Sequence, residues 1–377
     1  MLDREELGAW LRLLETPGVG RESARHLLQA FGSPGAAIDA STAARRSVVG
    51  PQAAGALAQP DPGFADLLES TWQWLAAAGD EARDVLVLGD PRYPELLLNS
   101  ADPPLLLYAR GQVDRLKSPS IAIVGSRNPT AQGLENARAF AAHLGRAGFT
   151  IVSGLALGID AAAHHGALEA GAATIAIVGT GLDRVYPGRH RSLALRIAAD
   201  GVIASEFAIG TPALPQNFPI RNRIIAGLAR GTLVVEAALQ SGSLITARLA
   251  AENGRDVFAI PGSIHSPQSR GCHALLKQGA KLVDSAADIL EELGAPVAPA
   301  GVPALAGPAA QAAAGPEHPR ADDPLLAALG FDPIGLDELI ARTGRSAADL
   351  AAALLDLELA GRAARLPGQR FQRIERA

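Results

Sequence analysis

From Ser120 to about Leu293 the chain alternates between short apolar runs and amphipathic stretches of helical period. The apolar runs are Ile121–Val124, Thr150–Val152, Thr174–Val178, Val202–Ala204, Leu233–Val235, Val257–Ile260 and Lys281–Val283. Most are uncharged and rich in β-branched residues, as strands buried on both faces must be. Strands of this kind separated by helices predict a mostly parallel, doubly wound sheet, with ligands outside the carboxyl ends of its strands. Ahead of this region the pattern is helical. Leu7, Trp10, Leu11, Leu13 and Leu14 form one stripe, Thr16-Pro17-Gly18-Val19-Gly20 interrupts it, and Ser23 to Phe31 resumes it. A further amphipathic helix is expected from Phe64 to Ala78.

The segment from Asp84 to Gly111 reads as a connector. Val85–Leu88 is a candidate strand, and Tyr93–Leu97 and Pro103–Tyr108 are expected to be extended. Ala295 to Ala321 is rich in Ala, Pro and Gly with almost no charge, the composition of a flexible linker. The tail then predicts a short helix at Leu336–Ile340, a turn at Thr343-Gly344, a second helix from Ala347 to Leu359 capped by Ser346, and a two-stranded wing from Arg362 to Ile374. The expected division is therefore helical 1–80, sheet 81–294, linker 295–321 and tail 322–377. At ~150 residues per domain, a chain of 377 residues accommodates two to three domains.

Chemistry is concentrated at the strand ends. Gly125-Ser126-Arg127, Ser153-Gly154, Gly179-Thr180-Gly181 and Ser241-Gly242-Ser243 each follow a candidate strand. Small-residue turns that feed helices leave backbone N–H groups free for anions, most often phosphate. Arg127 is either a positive fork beside those groups or an arginine on the rim of a tight turn. The loop from Phe207 to Pro219 leads into Phe218-Pro219-Ile220-Arg221-Asn222-Arg223. Arginines two apart do not share a helix face, so one is expected to pair internally, with Glu206 or Glu236, while the other faces the crevice. Phe218 is either a stacking face for a base or the anchor of its loop.

Other chemistries are excluded or weak. The third glycine of a dinucleotide fingerprint is missing after Gly179-Thr180-Gly181, and no phosphate-binding G-x-x-x-x-G-K-[ST] loop occurs. His164 and His165 are adjacent on an expected helix, so their rings diverge and do not share a metal. Asp160 is expected to cap the helix after Gly158. Glu206 and Glu236 end strands, as catalytic carboxylates can, but no recognisable nucleophile signature accompanies them. No catalytic, metal-binding or cofactor residues are therefore assigned. Cys272 is the only cysteine, which rules out an internal disulfide. The net charge of −5 argues against a uniformly basic coat, so nucleic-acid binding requires arginines clustered on one face. The acidic start MLDREELGAW is unlike a secretory signal, and no run reaches the ~18 apolar residues of a membrane span. A cytoplasmic protein without a membrane partner is expected.

Taken together, GSR at Gly125–Arg127, SGLALGIDAAAHHGAL at Ser153–Leu168, GTGLDRVYP at Gly179–Pro187, FPIRNRIIAGL at Phe218–Leu228, SGSLITA at Ser241–Ala247 and Pro261-Gly262 resemble the DprA/Smf DNA-processing family in order and spacing. The resemblance covers the chain nearly end to end. It implies a SAM-like front, an extended Rossmann sheet and a winged-helix tail; the helix, Thr16–Gly20 turn and helix of the front by themselves resemble a helix-hairpin-helix, whose turn either holds a DNA phosphate or only packs. It also implies a homodimer without enzymatic activity that binds and protects single-stranded DNA and loads RecA onto it during natural transformation. Carried over by motif, Arg127 and Arg221-Asn222-Arg223 contact the strand and Gly125 and Ser126 line the pocket. Ser153, Gly154, Phe218, Ser241, Gly242 and Ser243 complete the expected surface. Gly271-Cys272-His273 stands where the resemblance leads one to expect an asparagine. The second tail helix carries Asp349, Asp356 and Glu358 and no basic residue, which favours protein docking or a structural role over major-groove reading. The rival reading is a nucleotide-hydrolysing enzyme of the phosphoribohydrolase kind. Its P-G-G-x-G-T-x-x-E turn is not matched here, because Glu236 precedes the Ser241–Ser243 turn.

Overall fold

The computed structural model describes residues 2–77, 81–294 and 324–374. The expected linker 295–321 lies outside them. Five helices open the chain: α1 (Arg4–Glu15), α2 (Arg21–Phe31), α3 (Pro34–Asp39), α4 (Thr42–Ala56, broken at Gly50) and α5 (Phe64–Ala76). Gly18, in the turn between α1 and α2, has φ +86°, a conformation that suits glycine. These helices bury Leu7, Leu11, Leu13 and Leu27 among themselves. Their core continues into the sheet edge, where Trp74 meets the Tyr108 ring edge-on at 6.1 Å.

The sheet region comprises β1 (Arg83–Val87), α6 (Glu95–Leu98), β2 (Leu106–Gly111), β3 (Ser120–Val124), α7 (Ala131–Arg146), β4 (Thr150–Ser153), α8 (Ile159–Glu169), β5 (Thr174–Ile177), α9 (Arg191–Asp200) and β6 (Val202–Ser205). It continues with α10 (Asn217–Leu228), β7 (Gly231–Val234), α11 (Gly242–Glu252), β8 (Asp256–Ala259), α12 (Arg270–Lys277), β9 (Lys281–Leu282) and α13 (Ala286–Leu293). The nine strands lie in the order β1-β2-β6-β5-β4-β3-β7-β8-β9. From β6 to β9 all pairings are parallel, while β2 pairs antiparallel with both β1 and β6. The chain winds outward from β3 to β6, then returns through α10 to β7 on the other side of β3. That reversal is the switch point of a doubly wound sheet, where ligands bind.

The seven expected strands are all present, shifted at their ends by three residues or fewer. The connector follows expectation in part: Val85–Leu88 falls largely in β1, and Pro103–Tyr108 runs into β2. Residues 84–111 supply two strands that extend the sheet, and Glu95–Leu98 forms one helical turn rather than an extended segment. Leu97 points into the core from that turn, fully buried, which the local sequence does not reveal. Ile121, Ile123, Ile151 and Leu233 are fully buried under the helices of one face, and Ala122, Val152, Ile175 and Val234 under those of the other. Complete burial of each larger aliphatic side chain contributes about 1.5–3 kcal/mol.

The C-terminal winged helix comprises α14 (Pro324–Leu329), β10 (Ile334–Gly335), α15 (Leu336–Thr343), α16 (Ala347–Leu359), β11 (Ala363–Leu366) and β12 (Arg370–Arg373). The expected wing is there, with β10 as a third strand. Ser346 caps α16 as expected, accepting from the Asp349 N–H at 3.2 Å. This unit touches the sheet region: the Ala131 N–H, in the unpaired first turn of α7, donates to Gln372 Oε1 at 3.2 Å.

Candidate nucleic-acid interface

The turn after β3 is held open by backbone bonds. The Ser126 N–H donates to the Glu236 carbonyl at 2.7 Å, and the Ser126 carbonyl accepts from the Ile159 N–H at 3.1 Å. A Cβ at Gly125 would lie 2.7 Å from Ile159 and 2.9 Å from the Glu236 carbonyl, so only glycine fits. The Glu236 carboxylate grips the start of α7, accepting from the Thr130 N–H at 2.9 Å and the Thr130 hydroxyl at 2.6 Å. Burial raises its pKa and the Thr130 bonds oppose the rise. It is a structural clamp and does not line the crevice described next.

Across the switch point Ser241 opens α11, accepting from the Ser243 N–H at 3.3 Å, and the Asn222 amide donates to the Gly242 carbonyl at 3.2 Å. Between the ends of β3 and β7 lies a crevice of about 520 Å³. Nine of the twelve expected residues line it: Gly125, Ser126, Arg127, Phe218, Arg221, Asn222, Ser241, Gly242 and Ser243. The other three do not. Ser153 is buried, its hydroxyl donating to the Ile123 carbonyl at 2.7 Å. A Cβ on Gly154 would sit 2.0 Å from the Arg221 guanidinium, so Gly154 makes room for Arg221 rather than for a ligand. Gly179 does the same for the Phe218 ring, which a Cβ there would approach to 3.2 Å.

The arginines divide by depth. Arg221, only 4% exposed, forms part of the crevice wall and donates to the Ile177 carbonyl, with Asp160 at 4.0 Å. Burial lowers its pKa to about 10 against the attraction of Asp160. Burial in turn raises the pKa of Asp160, opposed by Arg221. Asp160 is the second residue of α8 rather than its cap, and its carboxylate accepts from the N–H groups of Gly154 and Ala156 at 3.1 and 3.3 Å. Arg223 points away from the crevice, donating to Asp102 at 2.7 Å and to Glu206. The expected split between one internally paired arginine and one at the crevice is thus present, with Glu206 as the partner. Arg127 is exposed, its guanidinium 5.6 Å from the Phe218 ring centre. Among the described residues no carboxylate holds it.

Asn128, Gln240, Thr246 and Gln268 also line the crevice and were not anticipated. Gln268 lies in the loop after β8, between Pro261-Gly262 and Gly271-Cys272-His273, and donates to the Asn128 carbonyl at 3.1 Å. Cys272 is buried beneath β7, with its thiol pushed up to about 12 by burial. His164 is fully buried against the Thr174 hydroxyl at 2.7 Å, and burial lowers its pKa to about 3. Among the described residues no three His, Cys, Asp or Glu side chains gather to hold a metal, and no helix is long and apolar enough to cross a membrane.

The DNA recombination-mediator protein A family matches residues 84–294, more than half of the chain. The chain belongs to the DprA/Smf family. Residues 4–54 match the DprA-like N-terminal HHH domain and residues 308–369 the DprA winged helix domain. The chain is 40% identical over 330 residues to Protein Smf of Synechocystis, covering 80% of this chain and 83% of that protein. The X-ray structure of DNA processing protein A from Streptococcus pneumoniae superposes with a TM-score of 0.67 at 37% identity, covering 76% of this chain and 97% of that one. DNA processing protein A from Helicobacter pylori, whose structure describes a single-stranded DNA binding mode, gives a TM-score of 0.51 at 30% identity over 56% of this chain and 95% of that one. The expected family membership and fold class are therefore correct. The chain is a family member built on an extended Rossmann-like sheet with helical front and winged-helix tail.

Proposed function

We propose that this chain binds single-stranded DNA in the switch-point crevice, protects it, and loads RecA onto it during DNA uptake. The observation that carries the reading is the convergence of exposed Arg127, the Gly125–Asn128 turn after β3 and the Ser241–Ser243 start of α11 on one sheet edge, beside the Phe218 ring. A protein of net charge −5 attracts DNA only through such local positive groups. The chain acts as a cytoplasmic homodimer, without cofactor or catalysis. The division into 1–80, 81–294, 295–321 and 322–377 assigns binding to the second part. Support comes from relatives in the same family, including the Helicobacter pylori protein described for single-stranded DNA binding.

The test is a salt titration with single- and double-stranded oligonucleotides of one length, followed by RecA-filament assembly on the bound strand. Each phosphate contact on a single strand contributes about 0.7 to the slope of log affinity against log salt. Arg127→Ala is expected to weaken binding of every sequence and to reduce the slope by about that amount. An unchanged slope with intact folding places the DNA elsewhere. Release of base from AMP-type nucleotides would support the hydrolase reading instead.

A further inference from the structure

A strand that lays its phosphates along the crevice must also place its bases. Phe218 stands at the rim, and a second ring lies against it. Tyr186 is 51% exposed, with ring centres 5.5 Å apart and planes inclined at 38°. Phe218 therefore joins two flat neighbours, the Arg127 guanidinium and the Tyr186 ring. Both faces suit stacking with nucleobases, which any base provides.

The loop that carries Tyr186 is tied down at several points. The Gly181 N–H donates to the Thr211 carbonyl at 3.0 Å, and the Gly210 N–H donates to Asp183 at 2.8 Å. The Ser205 hydroxyl donates to the Thr180 carbonyl at 2.7 Å, and the Asn217 amide donates to the Gly179 carbonyl at 3.1 Å. Loop, β6 and the start of α10 are thus bonded to one another. A ring pre-set in this way loses little freedom when a ligand stacks on it. Its exposure is otherwise unfavourable, because an apolar face is left in water.

Resting on the single-strand reading above, we propose that Tyr186 is a base-stacking residue. With Phe218 and Arg127 it forms a platform beside the crevice that takes unpaired bases. It reads no sequence, since stacking is sequence-tolerant. It does discriminate strandedness: a duplex keeps its base faces stacked internally and offers them to the platform only after unpairing, at a cost.

The experiment uses the full chain and anisotropy titrations with an oligothymidylate, an abasic strand of equal length and the corresponding duplex. Variants are Tyr186→Ala and Tyr186→Phe, each checked by thermal melt. Tyr186→Ala is expected to bind the oligothymidylate roughly tenfold more weakly, the size of one lost stacking contact. Its affinity for the abasic strand and its salt slope stay at the wild-type values, so its preference for single over double strands narrows. Tyr186→Phe behaves as wild type. Equal loss on the abasic strand, or no loss on the oligothymidylate, overturns the platform. Failure of the wild type to bind any single strand overturns the functional reading itself, which separates the two.

Discussion

Arg223 offers a test in which structure and motif resemblance predict different results. As a DNA contact, its loss would flatten the salt dependence of binding. As observed, it holds a network in which α10 meets Asp102 and Glu206, and α2 reaches the same acids through Arg21 and Arg25. The Arg223 side chain is 10% exposed, Glu206 14% and Asp102 30%. Removing one partner of a buried ion pair costs about 3–5 kcal/mol, because the other charge stays behind in a poor environment. A discount applies, since Asp102 is partly solvated and keeps Arg21 and Arg25. Among the described residues Glu206 keeps only Arg21, at 3.8 Å. Arg223→Met is therefore expected to cost about 2–4 kcal/mol. At about 2–4 °C per kcal/mol for a domain of this size, the melting temperature falls by roughly 5–15 °C.

Removing the stranded charge as well should recover part of the loss, so Arg223→Met with Glu206→Gln should melt above Arg223→Met alone. pH adds a sign. Burial pushes the Asp102 pKa up, but Arg25, Arg223 and Arg21 outweigh it and hold the carboxyl below its usual range. Its contribution is then fully present above the unfolded value near ~4 and is lost as pH falls through the lower folded value. The melting difference between wild type and Arg223→Met should shrink in that acid window. Thermal melts from neutral to acid pH, with a salt titration of single-strand binding, check both claims. A slope reduced by about 0.7 with an unchanged melting temperature would refute the network account and return Arg223 to the DNA surface.

Gly154→Ala adds one methyl group where the Arg221 guanidinium now lies, at a residue whose backbone is not left-handed. It should displace Arg221 and weaken single-strand binding more than it lowers the melting temperature; retained affinity would show that the position of Arg221 is immaterial. Arg221→Ala leaves Asp160 buried without its cation, so the variant should be destabilised at neutral pH. That loss should ease toward acid pH, as Asp160 takes up a proton in the folded state; melts at two pH values decide. Truncation before Asp322 should leave single-strand affinity within a few-fold, since α16 carries acids where a DNA-reading helix carries bases. A hundredfold loss in the same titration would make the tail a primary site. That truncation also removes the Gln372 contact to Ala131.

The sheet was legible because its strands are buried on both faces, and short uncharged apolar runs such as Ile121–Val124 have little other use. The crevice was legible for a related reason: a doubly wound order fixes which strand ends meet at the switch point, so turns far apart in sequence can be assigned to one edge. What sequence could not resolve was the use of each glycine. Gly125 and Gly242 border the crevice, whereas Gly154 and Gly179 accommodate Arg221 and Phe218 from α10. All four follow strands and look alike, because a missing Cβ records only that something comes close. The same limit hid the fate of Arg223, since Asp102 lies 121 residues away, in the irregular stretch between α6 and β2. Local pattern reports which backbone is built; which side chain fills a space depends on packing between distant segments. For the site, the consequence is a division of labour along α10. Asn217 and Phe218 fix the rim, Arg221 fills the wall that Gly154 leaves open, and Arg223 anchors the opposite side to the helical front. Any displacement of α10 therefore moves rim and wall together. This predicts that damage to the network at Arg223 reaches DNA binding through geometry, not through the loss of a charge near phosphate.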